Sequence, residues 1–196
     1  MTALKVGITG GIGAGKSIVS KVFEHLGYPV FNSDQVAKEL MANNFEIKKG
    51  IVQLFGEKAY LDGQLNRAHL SDIVFKDKSK IEALNQLVHP AVRAAFDEAA
   101  SQSVAPLIFN EAAILYETGA YKKFDHIILV TADEEIRIKR TMSRDNSSAE
   151  AVKARMTNQM TDEEKRAFAP FEIKNDGKQL VLPQVLQFIA DYSTSS

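Results

Sequence analysis

A short glycine-rich stretch near the amino terminus combines the residue types that bind a chain of phosphates. Residues 10–17 read GGIGAGKS and fit the pattern G-x-x-x-x-G-K-[ST]. Glycines let the backbone wrap closely round phosphate oxygens, so that successive amide groups converge on them. Lys16 supplies a positive charge for the β and γ phosphates, and the Ser17 hydroxyl is a suitable magnesium ligand. The stretch therefore predicts a site for a nucleoside triphosphate with Mg²⁺.

The backbone amides of this loop are expected to donate to the phosphates, and the helix that starts near Ser17 to point its positive dipole end at them. A glycine-rich turn with an incidental Lys-Ser pair is the alternative interpretation. The stretch follows a predicted strand and opens a predicted helix, which is the context that the motif requires. The loop residues expected to bind the nucleotide are Gly11, Ile12, Gly13, Ala14, Gly15, Lys16, Ser17 and, through its backbone N–H alone, Ile18.

An acidic side chain follows the second predicted strand. Residues 31–38 read FNSDQVAK, which places Asp34 just after that strand. Because the carboxyl ends of neighbouring parallel strands border the same crevice, we expect Asp34 near the phosphate loop. A carboxylate there would accept the proton of an acceptor hydroxyl or orient it for in-line attack. From spacing alone, a role as a simple cap of the next helix is equally open.

Three arginines late in the chain share one helix face, because Arg137, Arg140 and Arg144 fall at i, i+3 and i+7. A charge run is usually a solvated face. Three arginines without an acid at those positions repel one another, however, unless an anion lies between them. Arginine forks match phosphate oxygens and stack on adenine. We predict a lid over the nucleotide at about 140–168, with Arg140 as the main ATP contact and Arg144 as the second.

The elements that must position these residues follow the order of an α/β fold. A strand, a helix over 17–26 and a second strand form a βαβ unit, which implies a parallel sheet with a right-handed crossover. We predict a five-stranded parallel sheet flanked by helices. Its strands are the short apolar runs at 4–9, 28–31, 106–110, 126–131 and 171–175. Thr131 and Glu134 are expected to form a capping box at the start of the helix that follows the fourth run.

Strand signals fade between residues 34 and 103, where the sequence predicts a helical insertion that binds the acceptor. A turn is expected at Asp62-Gly63, and Pro90 should bend or interrupt the longest helix. The nucleotide-binding core would then comprise 1–33 and 104–196. The predicted helices of the insertion are 34–43, 45–55, 66–75 and 78–102.

Composition limits the partners. The 196 residues carry 24 Lys plus Arg and 25 Asp plus Glu, so no overall charge steers the chain toward nucleic acid or anionic lipid. The absence of cysteine excludes disulfides and thiolate metal sites. No apolar run is long enough to span a bilayer, and no segment fits a signal peptide. We expect a cytoplasmic monomer or small homo-oligomer with no nucleic-acid or membrane partner.

The phosphate loop alone leaves three classes of protein open. A GTPase should carry N-K-x-D, and the nearest stretch, at 174–176, has the wrong order. A motor should show four apolar residues ending in an acid, which the run at 106–110 matches poorly. A small kinase fits the short core, the helical insertion and the late basic helix best. Another P-loop small-molecule or nucleoside monophosphate kinase, and a nucleotide-dependent switch, remain alternatives.

Two stretches carry a resemblance to a known family. Residues 9–17, TGGIGAGKS, closely resemble the opening of dephospho-CoA kinases, and residues 32–38 resemble the D-x-D-x-x-A-R stretch that follows in that family. Asp34 is in the place of the second Asp, the family's proposed catalytic base. Asn32 and Lys38 depart from the pattern, as do Ile18 and Ala113.

Later stretches extend the resemblance in the family's order to the end of the chain. Residues 87–90 look like L-x-H-P, residues 111–119 are similar to D-V-P-L-L-F-E-S-G, and residues 137–145 resemble Q-x-x-R-L-x-x-R-D. Gln159, Lys165 and residues 175–177 match further family positions.

The resemblance implies a P-loop nucleoside-kinase-like fold and the reaction of ATP with 3′-dephospho-CoA to give ADP and coenzyme A. It places His89 at the acceptor, although a lone histidine on a helix is more often structural. Glu117 would hold magnesium through water or bind the acceptor, or else only cap a short helix. Asn175 would shape a loop beside adenine, with a plain Asx turn as the alternative.

Overall fold

The computed structural model describes residues 3–77, 79–169 and 171–192. The chain divides into two compact units, the described parts of Met1–Asn32 with Ala100–Ser196, and of Ser33–Ala99. The strands are β1 (Leu4–Thr9), β2 (Val30–Asn32), β3 (Tyr60–Leu61), β4 (Gln64–Leu65), β5 (Leu107–Glu111), β6 (His126–Thr131) and β7 (Phe171–Lys174). The α-helices are α1 (Lys16–His25), α2 (Ser33–Asn43), α3 (Phe45–Phe55), α4 (Arg67–Lys76), α5 (Ser79–Gln102), α6 (Glu134–Asp145), α7 (Ala149–Met156), α8 (Asp162–Arg166) and α9 (Val181–Tyr192).

The first unit contains a five-stranded sheet in the order β2-β5-β1-β6-β7, and every neighbouring pair is parallel. This confirms the predicted five-stranded parallel sheet flanked by helices. The central strands β1, β5 and β6 are almost wholly buried because helices cover both faces of a parallel sheet, so their sequences are apolar without alternation. Their carboxyl ends lead into the segments that carry the predicted nucleotide site.

Aromatic side chains join the helices α1 and α9 to the sheet. Phe23 of α1 stacks on Phe109 of β5 with ring centroids 3.8 Å apart, and Phe188 of α9 lies 6.1 Å from each. All three side chains are fully buried. Such pairs contribute about 0.5–1.5 kcal/mol beyond the burial of their area, so this cluster fixes α1, and with it the phosphate loop, on the sheet.

The second unit is helical, with one hairpin. Strands β3 and β4 are antiparallel and joined by Asp62 and Gly63, whose φ angles of 49° and 78° fit a type I′ turn. The four predicted helices match α2, α3, α4 and α5 within one residue at each end. Helix α5 continues through Pro90, so of the two predicted effects of this proline the interruption is wrong and a bend stays a prediction.

The predicted capping box at Thr131 is also wrong. Thr131 is the last residue of β6, and its hydroxyl donates to Glu172 Oε1 at 2.6 Å because β6 and β7 are neighbours in the sheet. Helix α6 has Asp133 as its N-cap residue instead. A complete capping box is formed at α8, by Thr161 and Glu164. No helix in the described residues combines the length and apolar character that crossing a lipid bilayer requires.

Candidate active site

The phosphate loop lies between the end of β1 and the start of α1 and is held in a conformation that needs glycine. Gly15 precedes α1 with a φ of 90°, which side chains rarely adopt. A Cβ on Gly15 would also overlap Asn175 Nδ2. Lys16 follows at the start of α1, and its Nζ donates to the carbonyl of Gly10 at 2.9 Å, across the loop. The ammonium group is therefore held over the loop by the loop's own backbone.

The loop amides fall into two groups. Ile12, Ala14 and Ile18 donate within the protein, to Gln159 Oε1 at 2.9 Å, the Gly11 carbonyl at 3.1 Å and the Gly15 carbonyl at 3.0 Å, respectively. Within the described residues the amides of Gly11, Gly13, Gly15 and Ser17 donate to no protein acceptor. These four remain able to bind phosphate oxygens directly. Contacts of Ile12, Ala14 and Ile18 with a nucleotide stay predictions, and they would require shared hydrogen bonds.

Ser17 suits a magnesium ion. It is exposed in the first turn of α1, and within the described residues its hydroxyl has no protein partner. The described residues contain no group of three or more His, Cys, Asp or Glu side chains that could hold a metal. Mg²⁺ fits such surroundings when phosphates are present, because it retains several waters and takes one or two protein oxygens together with phosphate oxygens.

Arg140 and Asn175 lie against the phosphate loop. The Asn175 side-chain Nδ2 donates to the Ala14 carbonyl at 3.0 Å, and the backbone carbonyl of Asn175 accepts from Arg140 Nη1 at 2.8 Å. Arg140 Nη1 lies 3.7 Å from the position that a Cβ on Gly15 would occupy. The structure thus brings three predicted site elements together: the loop, the arginine of α6 and the asparagine after β7.

Arg144 points elsewhere. Its Nε and Nη2 donate to the carboxylate of Asp145 at 2.7 and 3.1 Å, and Arg155 binds the same carboxylate at 2.9 Å. The hydrogen bonds from Arg144, and to a smaller extent that from Arg155, lower the pKa of Asp145 to about 2. The Arg144 side chain is 66% exposed. The predicted contact of Arg144 with ATP would use its Nη1 group, or would require the guanidinium group to leave the Asp145 carboxylate.

Arg137 does not join an open basic face. It is only 9% exposed, and its Nε donates to the Ile12 carbonyl at 2.9 Å. Its Nη1 binds Asp162 Oδ2 at 3.0 Å. The three arginines of α6 have the expected spacing along the helix. The Arg137 side chain, however, binds the Ile12 carbonyl and Asp162 and does not form part of an open basic face. Arg137 is turned inward because α8 provides a carboxylate and the loop provides a carbonyl.

Glu117 lies between two parts of the segment that follows α7. Its Oε1 accepts from the Met160 amide at 3.0 Å and lies 3.0 Å from Lys165 Nζ. The Lys165 side chain is fully buried, and the Glu117 side chain is 17% exposed. The Lys165–Glu117 distance is that of an ion pair, although the angles do not make a hydrogen bond. The predicted contact of Glu117 with magnesium or with the acceptor would therefore be made by its Oε2 atom.

Two predicted acceptor residues belong to the second unit. Asp34 is exposed in the first turn of α2, and within the described residues its carboxylate accepts no hydrogen bond, which does not fit a helix cap. His89 is half-buried on α5. Burial lowers the pKa of His89, the charge of Arg93 lowers it further, and the charge of Asp34 opposes both. Asp34 and His89 are therefore close enough to interact electrostatically.

Sequence reasoning gave no role to Gln159 and Asp162, and the wrong surroundings to Arg137. Gln159 and Arg137 meet the loop across 147 and 125 residues of chain. Spacing rules describe neighbours on one helix or one strand, so they carry no signal for contacts of this kind. The match of Gln159 to a family position was the one indication available.

The comparisons with known proteins agree with the geometry of the first unit. The family model for dephospho-CoA kinase matches residues 4–180. A dephospho-CoA kinase of Bacteroides fragilis is 40% identical over 189 residues, which cover 96% of this chain and 92% of that protein. A dephospho-CoA kinase of Thermus thermophilus is 39% identical over 184 residues, or 94% and 89% of the two chains.

Solved structures are similar over nearly the whole chain. A crystal structure from Thermus thermophilus has a TM-score of 0.87 and 35% identity, and covers 97% of this chain and 98% of that one. A dephospho-CoA kinase from Campylobacter jejuni has a TM-score of 0.65 and 29% identity, with 96% of both chains covered. A shikimate kinase from Bacteroides thetaiotaomicron, at a TM-score of 0.52, 12% identity and 95% and 96% coverage, shows a shared fold alone.

Proposed function

The chain belongs to the dephospho-CoA kinase family, and from that premise we propose that it transfers the γ-phosphoryl group of ATP to the ribose 3′-hydroxyl of dephospho-CoA. The products are ADP and coenzyme A. The ATP half of this proposal is supported mainly by the loop itself, in which the amides of Gly11, Gly13, Gly15 and Ser17 donate to no acceptor among the residues that the structure describes. Lys16 Nζ donates to the Gly10 carbonyl across the same loop. Several backbone donors at a helix amino terminus form a ready anion site.

Different side chains around the loop contact different parts of the bound ATP and Mg²⁺. Lys16 neutralises charge on the β and γ phosphates, and Arg140 reaches them from α6, with Arg144 as the second arginine. Asn175 holds the loop beside adenine. Ser17 would hold Mg²⁺, which, when bound, neutralises negative charge that develops on the phosphates. Positioning and electrostatics of this kind supply most of the rate in phosphoryl transfer.

On the acceptor side, Asp34 would accept the 3′-hydroxyl proton as that oxygen bonds to the γ phosphorus and the bond to the ADP oxygen breaks. The support for this role is that Asp34 is exposed and that, among the described residues, its carboxylate accepts no hydrogen bond. His89 and the Oε2 atom of Glu117 are proposed contacts of the acceptor. A cytoplasmic location and a monomer or small homo-oligomer remain predictions.

The test is a coupled assay of ADP release with a panel of acceptors: dephospho-CoA, coenzyme A, a nucleoside monophosphate, shikimate and no acceptor. We expect rapid turnover with dephospho-CoA alone. Coenzyme A is the matched negative because its 3′ position already carries the phosphoryl group. Equal rates with dephospho-CoA and coenzyme A, or a faster rate with another acceptor, would contradict the proposal.

Asp34→Asn tests the base. Its kcat should fall about 10²- to 10⁴-fold, the usual contribution of a general base, with little change in the KM for ATP. The matched control is Glu46→Gln, an exposed carboxylate in the first turn of α3, which should behave as the unsubstituted chain. A kcat for Asp34→Asn near that of the control would remove Asp34 from the chemistry.

A further inference from the structure

One residue of the phosphate loop, Ile12, is held from both sides by side chains far away in the sequence. Its N–H donates to Gln159 Oε1 at 2.9 Å, and its carbonyl accepts from Arg137 Nε at 2.9 Å. The two contacts fix the orientation of the two peptide planes that flank Ile12. Neither plane is part of a helix or strand, so these side chains replace the hydrogen bonds that regular structure would provide.

The planarity of the peptide bond passes these contacts on to neighbouring groups. In a trans peptide the C=O of one residue and the N–H of the next point in opposite directions. Because Arg137 holds the Ile12 carbonyl, the Gly13 N–H points away from Arg137. Because Gln159 holds the Ile12 N–H, the Gly11 carbonyl points away from Gln159, and it accepts from the Ala14 amide at 3.1 Å. Gly13 carries one of the four loop amides that donate to no acceptor within the described residues.

Arg137 is itself immobilised. It is 9% exposed, and its Nη1 binds Asp162 Oδ2 at 3.0 Å while Nε binds the loop. Gly11 lacks the Cβ that would overlap the guanidinium group, so the loop packs directly on the planar fork. Because Asp162 balances its charge, Arg137 acts by geometry rather than as an additional cation for the phosphates.

Gln159 and Asp162 lie on a short stretch of chain in which several residues contact other parts of the first unit. We call residues 159–166 the brace segment. Its contacts with the rest of the first unit are Gln159 to Ile12, Met160 and Lys165 to Glu117, Asp162 to Arg137, and Arg166 to Glu172. These contacts hold the brace segment in place, so Gln159 and Asp162 are fixed in the positions from which they bind Ile12 and Arg137.

We propose that Arg137 and Gln159 are positioning residues, which hold the Ile12–Gly13 peptide so that the Gly13 N–H meets the phosphates of ATP. The inference rests on the proposed function. Neither side chain touches the nucleotide, and both act through the loop backbone. Removing either lets the peptide rotate, so the loop loses one of its aligned donors without losing Lys16.

The test uses Arg137→Met and Gln159→Leu in the full chain, with Lys139→Met, an exposed cation on the same helix α6, as the matched control. We expect kcat/KM for ATP to fall at least tenfold, and up to about a hundredfold, the cost of a misplacement of about 1 Å. The KM for dephospho-CoA should stay unchanged. Gln159→Glu should restore activity toward that of the unsubstituted chain, because a carboxylate oxygen accepts from the same N–H.

Amide NMR with ADP supplies a measure that does not depend on turnover. In the unsubstituted ¹⁵N-labelled chain, ADP should shift the Gly13 and Ser17 amide signals strongly. In Arg137→Met the Gly13 shift should shrink at least twofold, while the Ser17 shift persists. Full ADP-induced shifts of Gly13 in both variants, with kcat/KM for ATP as in Lys139→Met, would overturn the proposal.

If Arg137→Met does not fold, as judged by circular dichroism, the proposal is tested with Gln159→Leu and Gln159→Glu alone. The proposal then fails if Gln159→Leu keeps full kcat/KM, or if Gln159→Glu is as impaired as Gln159→Leu. Failure of the proposed function gives a different pattern. The unsubstituted chain would bind ADP and show the Gly13 shift but would not turn over dephospho-CoA.

Discussion

The buried ion pair between Lys165 and Glu117 gives the sharpest stability prediction. Lys165 has no exposed side-chain surface, and Glu117 Oε1 lies 3.0 Å from its Nζ. Glu117→Gln removes the negative charge but keeps an oxygen that can accept from the Met160 amide. The result is a buried ammonium group that has lost the carboxylate at ion-pair distance, which is among the costly single changes in a protein interior.

Removing one partner of a buried pair costs about 3–5 kcal/mol. We expect about 3 kcal/mol for Glu117→Gln, at the lower end of that range, because the amide oxygen still faces Lys165. For a chain of this size each kcal/mol lowers the melting temperature by about 2–4 °C, so the expected loss is about 6–12 °C. Lys165→Met should cost less, since the remaining Glu117 carboxylate is 17% exposed and can be hydrated.

Urea unfolding measured by tyrosine fluorescence tests these values, because the chain has no tryptophan. Four of the five tyrosines lie in the first unit, at positions 28, 116, 121 and 192, so the signal reports mainly on that unit. The double variant Glu117→Gln with Lys165→Met should lie within about 1 kcal/mol of Lys165→Met, because a neutral pair leaves no buried charge. A loss below about 0.5 kcal/mol for Glu117→Gln, the size of an ordinary surface change, would refute the reasoning.

Three further predictions concern the site. Arg140→Ala should raise the KM for ATP about tenfold or more through loss of a charge-assisted contact, whereas an unchanged KM in steady-state kinetics would remove Arg140 from the nucleotide. Gly15→Ala should abolish detectable ADP binding by calorimetry and lower stability by about 1–2 kcal/mol, because its φ is 90° and a Cβ meets Asn175. The carbon-bound ring protons of His89 should titrate below pH 6.5 by NMR, because burial depresses its pKa. The unfolded chain then binds more protons below pH 6.5, so the stability that neutral His89 contributes is present above pH 6.5 and is lost as pH falls through its folded pKa. A titration midpoint at or above 6.5, or a His89→Asn variant with the same acid dependence, would contradict this.

Local sequence patterns accounted for most of the fold. Apolar runs bounded by glycine and polar residues gave the strands, and helical periodicity gave the four helices of the second unit, because both signals depend on near neighbours. The Asp62-Gly63 turn was predictable for the same reason, since its backbone conformation requires those residue types. Thr131 was misread because Thr-x-x-Glu fits a capping box wherever it occurs, and only the pairing of β6 with β7 gives its hydroxyl another acceptor.

The site was predictable where one contiguous motif carries it. Residues 10–17 identify the phosphate loop because the motif fixes both residue types and local conformation. The distribution of its amides was not predictable, since the acceptor for Ile12 lies on Gln159 and the donor to its carbonyl lies on Arg137. Tertiary packing decides such contacts, and a single sequence does not display it.

The position of the transferred phosphoryl group tests the central claim most directly. After incubation with ATP, Mg²⁺ and dephospho-CoA, mass spectrometry and ³¹P NMR of the acceptor should show one added phosphoryl group as a monoester on the ribose 3′ oxygen, in a one-to-one ratio with ADP. Release of ADP with inorganic phosphate and an unmodified acceptor, or a phosphoryl group on any other oxygen, would contradict the account.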